Sequence, residues 1–347
     1  MSGERRSAPR TVLSVVGARP NFMKVAPVVA ALRRRPDEFE HILVHTGQHY
    51  DARMSGDFFT QLGIPEPDVN FEVGSGTQAE QTAAIMTRYE ALLESARSDL
   101  CLVVGDVTST MACAIAAQKL RVPVAHVEAG IRSGDWSMPE EINRLVTDSI
   151  TNHFFTTSEV ANRNLRAAGA RDESIFFVGN TMIDTLLANL ERLRPPDFWT
   201  SAGLQAGGYF VMTLHRPANV DDAAGFARLV DAVGQATRGL PVVFPVHPRT
   251  AKTLANLANR PPGLLTVEPQ PYLEFNYLVR HAKGVITDSG GVTEETTVLG
   301  IPCVTLRDTT ERPETVTVGT NELIGTDPAA LKPALDRLFA GQWKKGA

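Results

Sequence analysis

Short runs of apolar and β-branched residues alternate with longer stretches of helical periodicity along almost the whole chain. In the first half these runs have the length of buried strands. They are TVLSVV (11–16), HILVHT (41–46), LCLVVG (100–105), VPVAHVE (122–128), HFFTT (153–157) and IFFVG (175–179). The intervening patterns predict helices at residues 20–35, 108–119 and 139–150. Apolar strands separated by helices are typical of a parallel sheet covered on both faces.

The alternation starts again after residue 208, which indicates a second domain of the same class. Its strand candidates are YFVMTL (209–214), PVVFPV (241–246), LLTV (264–267), GVIT (284–287) and PCVTL (302–306). Residues 191–208 are rich in proline and glycine and lack a strong period, so they are predicted to form a linker or hinge. The predicted fold class is α/β, with two Rossmann-like domains at residues 1–190 and 191–347 that face each other across a cleft.

Composition and charge limit the kinds of partner that the chain is predicted to bind and the cellular compartment in which it is predicted to work. The chain is 43% apolar and has a formal net charge of −5, so it lacks the basic excess of a nucleic-acid-binding protein. No run approaches the roughly 18 apolar residues of a membrane span. The N-terminal MSGERRSAPR does not continue into the apolar segment of a signal peptide. Three cysteines without disulfide or metal-ligand spacing predict buried thiols in a reducing cytoplasm.

Polar clusters follow the predicted strands, which is where open α/β sheets bind ligands. GARPNFMK (17–24) combines a glycine turn at a helix start with Arg19 and Lys24, a pattern that suits an anion or an ordinary turn with solvated cations. Asp106 follows the third predicted strand, LCLVVG (100–105). It could cap the next helix, contact a ligand, or do both. These positions are candidates for a ligand site on the first domain.

Two further segments bear on cofactors and metals. HTGQHYD (45–51) holds two histidines, but the intervening glycine and the missing third ligand favour ligand contacts over a metal site. GSGTQA (74–79) satisfies the G-x-G-x-x-A pattern of dinucleotide binding, yet it does not lie in the first βα turn. No phosphate-binding P-loop or GxSxG elbow is present. The sequence therefore predicts neither a metal nor a nicotinamide cofactor.

The densest collection of titratable groups is HVEAGIRSGDWSMPEEINR (126–144). It begins at the end of a predicted strand and contains two arginines, a histidine and four carboxylates. The carboxylates are Glu128, Asp135, Glu140 and Glu141. Because a buried carboxylate is costly without a partner, such a collection of acids and bases at a strand end requires a functional explanation. The alternative for Glu140 is a first-turn helix acid after Pro139.

In the second half, TDSGGVTEETTVLGIP (287–302) is the most informative segment. Ser289, Gly290 and Gly291 would open a helix whose N–H groups and dipole face a phosphate. Glu294 and Glu295 follow one turn later, where a carboxylate can bind ribose hydroxyls or favour the helix start.

Nine segments, taken together and in this order, resemble the bacterial non-hydrolysing UDP-N-acetylglucosamine 2-epimerases. They include GARPNFMKVAPV, HTGQHYD, VVGDVTST, HVEAGIRSGD, PEEINR, VGNTMIDTL, TLHRPANVD, PVHP and DSGGVTEETTVLGIPCVTLRDTTERPET, and they span about residues 11 to 325. The resemblance implies a GT-B-like fold with a UDP-sugar in the cleft, no cofactor, and a homodimer. It also implies a reversible elimination of UDP from C1 and a proton from C2 of the sugar, followed by re-addition after protonation from the opposite face.

Motif matching carries the family's functional residues onto this chain. The residues implied in catalysis are Asp106, Glu128, Glu140 and His215. The residues implied in substrate binding are Arg19, Lys24, His49, Arg144, Ser289, Gly290, Gly291, Glu295 and Arg312. Gln48 and His247 match positions of an allosteric site, although the loop before Pro139 is slightly shorter than in well-known members. Which carboxylate acts on which epimer is left open.

Three other functions compete with this interpretation. A hydrolysing epimerase would add water to the intermediate and shares the residues needed for elimination. A GT-B glycosyltransferase would use the same nucleotide cleft but needs no set of three carboxylates. A UDP-sugar sensor would keep the phosphate cradle and lose the acids, which are present here. Family members usually continue beyond GQWKKGA into a last helix, so the resemblance leaves open whether such a helix is missing from this chain.

Overall fold

The structure, a computed structural model, describes residues 8–47, 59–246, 248–255, 257 and 260–346. The side chains of Arg19, Pro248 and Arg249 are not described. The chain divides into two compact units, Met1–Ala188 and Asn189–Ala347.

The described part of the first unit is built on a seven-stranded parallel sheet in the order β3-β2-β1-β4-β5-β6-β7. Its strands are β1 (Arg10–Val16), β2 (Phe39–His45), β3 (Val69–Asn70), β4 (Leu100–Val104), β5 (Val124–Val127), β6 (His153–Thr156) and β7 (Ile175–Phe177). The helices are α1 (Arg19–Arg33), α2 (Gln78–Ser95), α3 (Thr108–Lys119), α4 (Pro139–Ser149), α5 (Glu159–Ala167) and α6 (Thr181–Asn189), with a 3₁₀ turn at Asp172–Ser174. The strand order reverses between β1 and β4, which creates a crevice at their carboxyl ends.

The described part of the second unit repeats this plan with a six-stranded parallel sheet in the order β10-β9-β8-β11-β12-β13. Its strands are β8 (Phe210–Thr213), β9 (Val242–Pro245), β10 (Leu264–Val267), β11 (Gly284–Thr287), β12 (Cys303–Thr305) and β13 (Asn321–Leu323). The helices are α7 (Phe198–Ser201), α8 (Pro217–Val220), α9 (Ala223–Ala236), α10 (Pro248–Ala255), α11 (Tyr272–His281), α12 (Gly290–Leu299), α13 (Pro313–Thr317) and α14 (Leu331–Phe339), with 3₁₀ turns at Leu190–Arg192 and Pro328–Ala330. Here the order reverses between β8 and β11.

The predicted fold class is confirmed: both sheets are parallel, and each run predicted as a strand contains one. β3 and β13 were not predicted, because they are only two and three residues long and carry no apolar run. The segment GSGTQA (74–79), which matches the dinucleotide-binding pattern, instead caps the N-terminus of α2. The hydroxyl of Thr77 accepts the N–H of Glu80, and the Glu80 carboxylate accepts the N–H of Thr77.

The prediction of a linker at residues 191–208 was wrong in part. This stretch contains α7, and the ring of Trp199 packs edge-on against Tyr209 at 5.5 Å and against Tyr277 at 5.2 Å. Leu204 is also buried in the same core. A segment without periodicity can dock through one large aromatic side chain, which a pattern search does not detect.

The three cysteines are free and completely buried, as the sequence predicted. Cys101 and Cys113 lie in the core of the first unit, and Cys303 lies in that of the second. Burial raises the pKa of the Cys101 and Cys303 thiols to about 12 and the pKa of Cys113 well above its ordinary value. The thiols are therefore protonated and inert. None of the described helices has the length and apolar character needed to cross a membrane.

Candidate active site

The predicted site residues gather at the carboxyl ends of strands beside the two reversals of strand order. In the first unit the predicted residues Lys24, Asp106, Glu128, Glu140 and Arg144, together with Glu141, form a group that we call the acid cluster. In the second unit the predicted residues His215, Ser289, Gly290 and Gly291, together with Asp288, form what we call the anion cradle. Glu141 and Asp288 were not predicted as site residues. Such crevices are the usual ligand sites of open α/β sheets.

Glu128 and Lys24 form a buried ion pair in the acid cluster. The Nζ of Lys24, on α1, lies 2.7 Å from each carboxylate oxygen of Glu128, and both side chains are about nine-tenths buried. Glu128 follows β5 with a φ of +74°, a strained conformation for a residue with a side chain. Gly105 leaves room for the pair, since a Cβ there would lie 3.3 Å from the Nζ of Lys24. The fold thus holds one carboxylate and one ammonium at a fixed place.

Asp106 is held from α4 by two neighbouring side chains. Arg144 donates to its Oδ2 from Nε at 2.9 Å and from Nη2 at 2.6 Å. The side-chain amide of Asn143 donates to its backbone carbonyl at 2.8 Å. Arg144 is buried, whereas about a quarter of the Asp106 side chain remains exposed. Asp106 is therefore oriented by Arg144 while still accessible to a ligand.

The adjacent acids Glu140 and Glu141 at the start of α4 have different surroundings. Glu141 is buried and accepts the N–H groups of Ser133 and Gly134 as well as Nη1 of Arg144. Burial alone would raise the pKa of Glu141, but these hydrogen bonds outweigh it and hold the pKa below its usual range. Glu140 is partly exposed and makes no hydrogen bond or ion pair with the described residues. Glu141 fixes the loop, whereas Glu140 is not bound to any of the described residues.

In the anion cradle, a buried aspartate orients His215. Nδ1 of His215, just after β8, lies 2.8 Å from Oδ1 of Asp288, just after β11. Asp288 also accepts the N–H of Arg216 at 2.9 Å and the amide of Asn219 at 3.1 Å. Burial alone would raise the pKa of Asp288, yet the hydrogen bonds from His215, Arg216 and Asn219 keep it below its ordinary value. The half-exposed imidazole is thus fixed by an ionised carboxylate.

Ser289, Gly290 and Gly291 open α12, as the sequence predicted. The Ser289 side chain does not cap the helix, so N–H groups in the first turn are left for another acceptor. The absence of a Cβ on Gly290 lets the Glu311 carboxylate approach the start of α12 closely, since an added Cβ would lie 2.4 Å from its Oε1. The positive end of the helix dipole adds to the attraction for an anion.

The remaining predicted contacts lie deeper in the second unit or outside the described residues. Glu295 is buried on α12, with its Oε1 3.4 Å from the amide of Asn276. Arg312 is buried as well, and its Nε lies 2.9 Å from Glu294. Residues 48, 49 and 247, which hold the predicted Gln48, His49 and His247, are outside the described ranges. Arg19 begins α1, but its side chain is likewise not described.

Some residues that organise the site were not predicted from the sequence. Asn21 accepts the N–H groups of Gly17 and Ala18 and donates to the carbonyl of Val104, which joins the ends of β1 and β4. His126 and Asp148 form a second buried link, described below. A polar residue inside an apolar strand, such as His126 in VPVAHV, is the signal that could have indicated a buried partner. Within the described ranges, no group of three His, Cys, Asp or Glu residues is placed to hold a metal ion.

Comparison with known proteins defines the class and then the family. The glycosyltransferase SnogD from Streptomyces nogalater matches 97% of this chain and 96% of its own length with a TM-score of 0.51 at 16% identity, a likeness of fold alone. With its two parallel-sheet units, the chain is thus an α/β protein of the GT-B-like class.

The family is shown by sequence and by structure. The model of the UDP-N-acetylglucosamine 2-epimerase family matches residues 30–345. The UDP-N-acetylglucosamine 2-epimerase of Methanocaldococcus jannaschii is 39% identical, over 93% of this chain and 90% of the relative. A crystal structure of the M. jannaschii enzyme with UDP-GlcNAc and UDP matches with a TM-score of 0.87 at 38% identity, over 97% of this chain and 95% of that chain. The chain therefore belongs to the UDP-N-acetylglucosamine 2-epimerase family, a family of isomerases.

A second relative is named after a different substrate. The UDP-2,3-diacetamido-2,3-dideoxy-D-glucuronate 2-epimerase of Pseudomonas aeruginosa is 40% identical, over 90% of this chain and 88% of the relative. Both relatives are epimerases acting at C2 of a UDP-sugar, so they agree on the reaction and differ in the sugar.

Proposed function

We propose that the protein is a non-hydrolysing UDP-N-acetylglucosamine 2-epimerase that interconverts UDP-GlcNAc and UDP-ManNAc. The observation that carries the elimination is the acid cluster, and the segments MPEEINR and RDTTERPET favour the non-hydrolysing type over a hydrolysing epimerase. Asp106 and Glu128 follow neighbouring strands and are held by Arg144 and Lys24, respectively. Glu140 lies on the helix that carries Arg144 and has no partner among the described residues. Separate carboxylates on one rigid frame are what acid–base chemistry on two faces of a sugar ring requires.

The chemistry explains why more than one carboxylate is needed. The C2–H bond of N-acetylglucosamine has no adjacent carbonyl, so simple proton abstraction is too slow. In the elimination, one carboxylate takes the C2 proton while the C1–O bond to UDP breaks and 2-acetamidoglucal forms. A second acid then protonates C2 on the opposite face, and a diphosphate oxygen of UDP adds back to C1. We assign these proton transfers to Asp106, Glu128 and Glu140.

We assign the departing UDP to the anion cradle. The first-turn N–H groups and the dipole of α12 stabilise the negative charge that develops on the diphosphate as the C1–O bond breaks. Asp288 engages Nδ1 of His215 and leaves Nε2 to face the ligand, where it donates to a diphosphate oxygen once the ring carries both protons. We propose that Arg19, Lys24, His49, Arg144, Glu295 and Arg312 complete the contacts to the UDP-sugar, with Gln48 and His247 left as candidates for an allosteric site.

Incubation with UDP-GlcNAc in D₂O tests the proposed function. Proton NMR is expected to show UDP-ManNAc that carries deuterium at C2, approaching a constant ratio to UDP-GlcNAc. Free ManNAc and an equal amount of UDP would instead identify a hydrolysing epimerase. The absence of both turnover and deuterium exchange would refute an epimerase acting on this sugar.

The P. aeruginosa relative supports a second candidate, an epimerase of UDP-2,3-diacetamido-2,3-dideoxy-D-glucuronate. The two substrates differ at C3 and C6, while the bonds broken at C1 and C2 are the same. Running the same NMR experiment with each sugar, separately and in competition, would assign the substrate from the larger kcat/KM.

We propose that the protein acts as a homodimer through an apolar groove on the first unit. The groove has a volume of about 550 Å³ and lies between α2, α3 and α4, where Met86, Met111 and Ile142 line it. Ile142 is 44% exposed, and Trp136, close to the groove residue Ser137, is 71% exposed. A second copy of the chain would remove this apolar surface from water.

Ile142→Asp is expected to convert the dimer into a monomer, because it introduces a charge into the proposed interface. Light scattering coupled to gel filtration measures the mass directly. Leu187→Asp is the matched control, since Leu187 is also half exposed but does not line the groove. A wild-type monomer, or an Ile142→Asp variant that remains dimeric, would contradict this assignment.

We further place the reaction in the cytoplasm. The support is the set of three free, buried thiols without a disulfide, which is the pattern of proteins from reducing compartments. Oxidised proteins of similar size from secretory compartments typically carry bridged cysteines.

A further inference from the structure

The feature that carries a further inference is the buried histidine of β5. His126 lies two residues before Glu128, and its side chain is completely buried. Its Nε2 lies 2.7 Å from the carbonyl oxygen of Gly105, and its Nδ1 lies 2.7 Å from Oδ1 of Asp148 on α4. His126 therefore touches the segment before Asp106 and the helix that begins with Glu140 and Glu141.

These contacts define where the protons of His126 lie. A backbone carbonyl only accepts hydrogen bonds, so Nε2 carries a proton. The other oxygen of Asp148, Oδ2, accepts the N–H of Gly130 at 3.0 Å and Nη1 of Arg132 at 2.6 Å. Burial alone would raise the pKa of Asp148, but His126 and Arg132 outweigh it and hold the pKa below its ordinary value. Because Asp148 is ion-paired with Arg132 as a carboxylate, Nδ1 of His126 is the donor in its hydrogen bond to Oδ1.

The backbone positions held by this network are those next to two proposed catalytic acids. Gly105, whose carbonyl accepts from His126, directly precedes Asp106. Gly130, whose N–H is accepted by Asp148, comes two residues after Glu128. Both glycines have a positive φ, as does Glu128 itself, so these turns depend on surrounding contacts to keep their shape. One imidazole–carboxylate pair thus joins α4 to the ends of β4 and β5.

We propose that His126 and Asp148 are positioning residues: doubly protonated His126 holds the carbonyl of Gly105, Asp148 holds the N–H of Gly130, and together they fix the separation of Asp106 and Glu128. This inference rests on the proposed function, which gives those two acids their role. His126 and Asp148 themselves are too deeply buried to touch the sugar. Misplacing a reacting group by about 1 Å can cost about 100-fold in rate.

The first test needs no variant and no activity. In protein labelled with ¹⁵N-histidine, the resonances of His126 are expected to show a proton on both ring nitrogens at the assay pH. A neutral ring with one bare nitrogen would overturn the proposal. This measurement is independent of the proposed function, because it gives the same answer whether or not the protein turns over UDP-GlcNAc.

Two variants then test the two hydrogen bonds of His126 separately, because each variant removes one of them. His126→Gln keeps a donor near the position of Nε2 and loses the contact with Asp148, whereas His126→Asn keeps a donor near Nδ1 and loses the contact with Gly105. Each is expected to lower kcat by about 100-fold. The KM for UDP-GlcNAc and the calorimetric affinity for UDP are expected to change less than about threefold, because the anion cradle is untouched.

His41→Gln is the matched control. His41 lies in β2 of the same sheet and bonds Ser14 at 3.0 Å, but it contacts none of the acid cluster among the described residues. It is expected to leave kcat within about threefold of wild type. If both His126 variants keep wild-type kcat, or if kcat and UDP affinity fall together, the pair has no positioning role. A wild-type protein that fails to epimerise any UDP-sugar refutes the proposed function instead, and the NMR result still stands.

Discussion

Glu128→Gln is expected to lower kcat for epimerisation by about 10³-fold. Glutamine has nearly the same shape as glutamate but can neither accept nor return the C2 proton. The KM for UDP-GlcNAc is expected to change little, because the phosphate contacts proposed for Ser289 and Gly290 are unaltered. Initial rates measured by NMR or by a coupled assay for UDP-ManNAc would give both constants.

The same substitution leaves the buried ammonium of Lys24 without its counter-charge. Removing one partner of a buried ion pair is expected to cost about 3 kcal/mol in the free energy of unfolding. A double variant, Lys24→Met with Glu128→Gln, is expected to recover part of this stability but none of the activity. It therefore separates the charge balance of the core from the proton transfer.

Glu38→Gln is a matched control for the loss of a paired glutamate. Glu38 is exposed and forms an ion pair with Arg35 at 2.7 Å, so its removal is expected to cost less than about 1 kcal/mol and no activity. A Glu128→Gln variant that retained kcat within about tenfold of wild type would remove Glu128 from the proposed chemistry.

Gly130→Ala is expected to destabilise the protein by about 3 kcal/mol. Gly130 has a φ of +82°, which an L-residue adopts only with strain. An added Cβ would also lie 2.5 Å from the carbonyl oxygen of Ala161 and 2.9 Å from the Cγ of Leu165, both on α5. A backbone oxygen cannot move away as the end of a side chain can. Urea denaturation followed by circular dichroism would measure the loss as a lower midpoint.

Gly134→Ala separates backbone strain from collision in the same loop. Gly134 has a similar φ of +72°, but nothing lies within 4 Å of an added Cβ. Its substitution is expected to cost only the strain of the left-handed conformation, about 1 kcal/mol. Equal losses for Gly130→Ala and Gly134→Ala would show that the close packing of the loop on α5 contributes nothing.

Much of the fold could be predicted from the sequence, because local patterns and structure agree for the described strands other than β3 and β13. LLTV and GVIT are strands over the predicted residues, and the helix predicted at 108–119 is α3. β3 and β13 are strands only because they pair with β2 and β12. Their existence depends on hydrogen bonds to distant residues, so no local pattern indicates them. α7 and its docked Trp199 depend in the same way on a core formed elsewhere in the chain.

The candidate site, like the fold, could be predicted from the sequence only in part. The sequence predicted Lys24 and Glu128 as site residues, but their pairing joins positions 104 residues apart and became visible only in the structure. The sequence also assigned catalysis to the first acid of PEE without a physical reason to prefer it to the second. That reason is three-dimensional: Glu141 is committed to Ser133, Gly134 and Arg144, whereas Glu140 is not committed to any described residue.

The burial of all three native thiols makes the chain suitable for site-specific labelling. A maleimide dye reacts with accessible thiolate, and Cys101, Cys113 and Cys303 offer neither access nor thiolate near neutral pH. A cysteine introduced on the surface of either unit would therefore be modified selectively, without prior removal of native cysteines. Pairs of such probes would allow ligand-dependent motion of the two units to be followed by energy transfer in otherwise native protein.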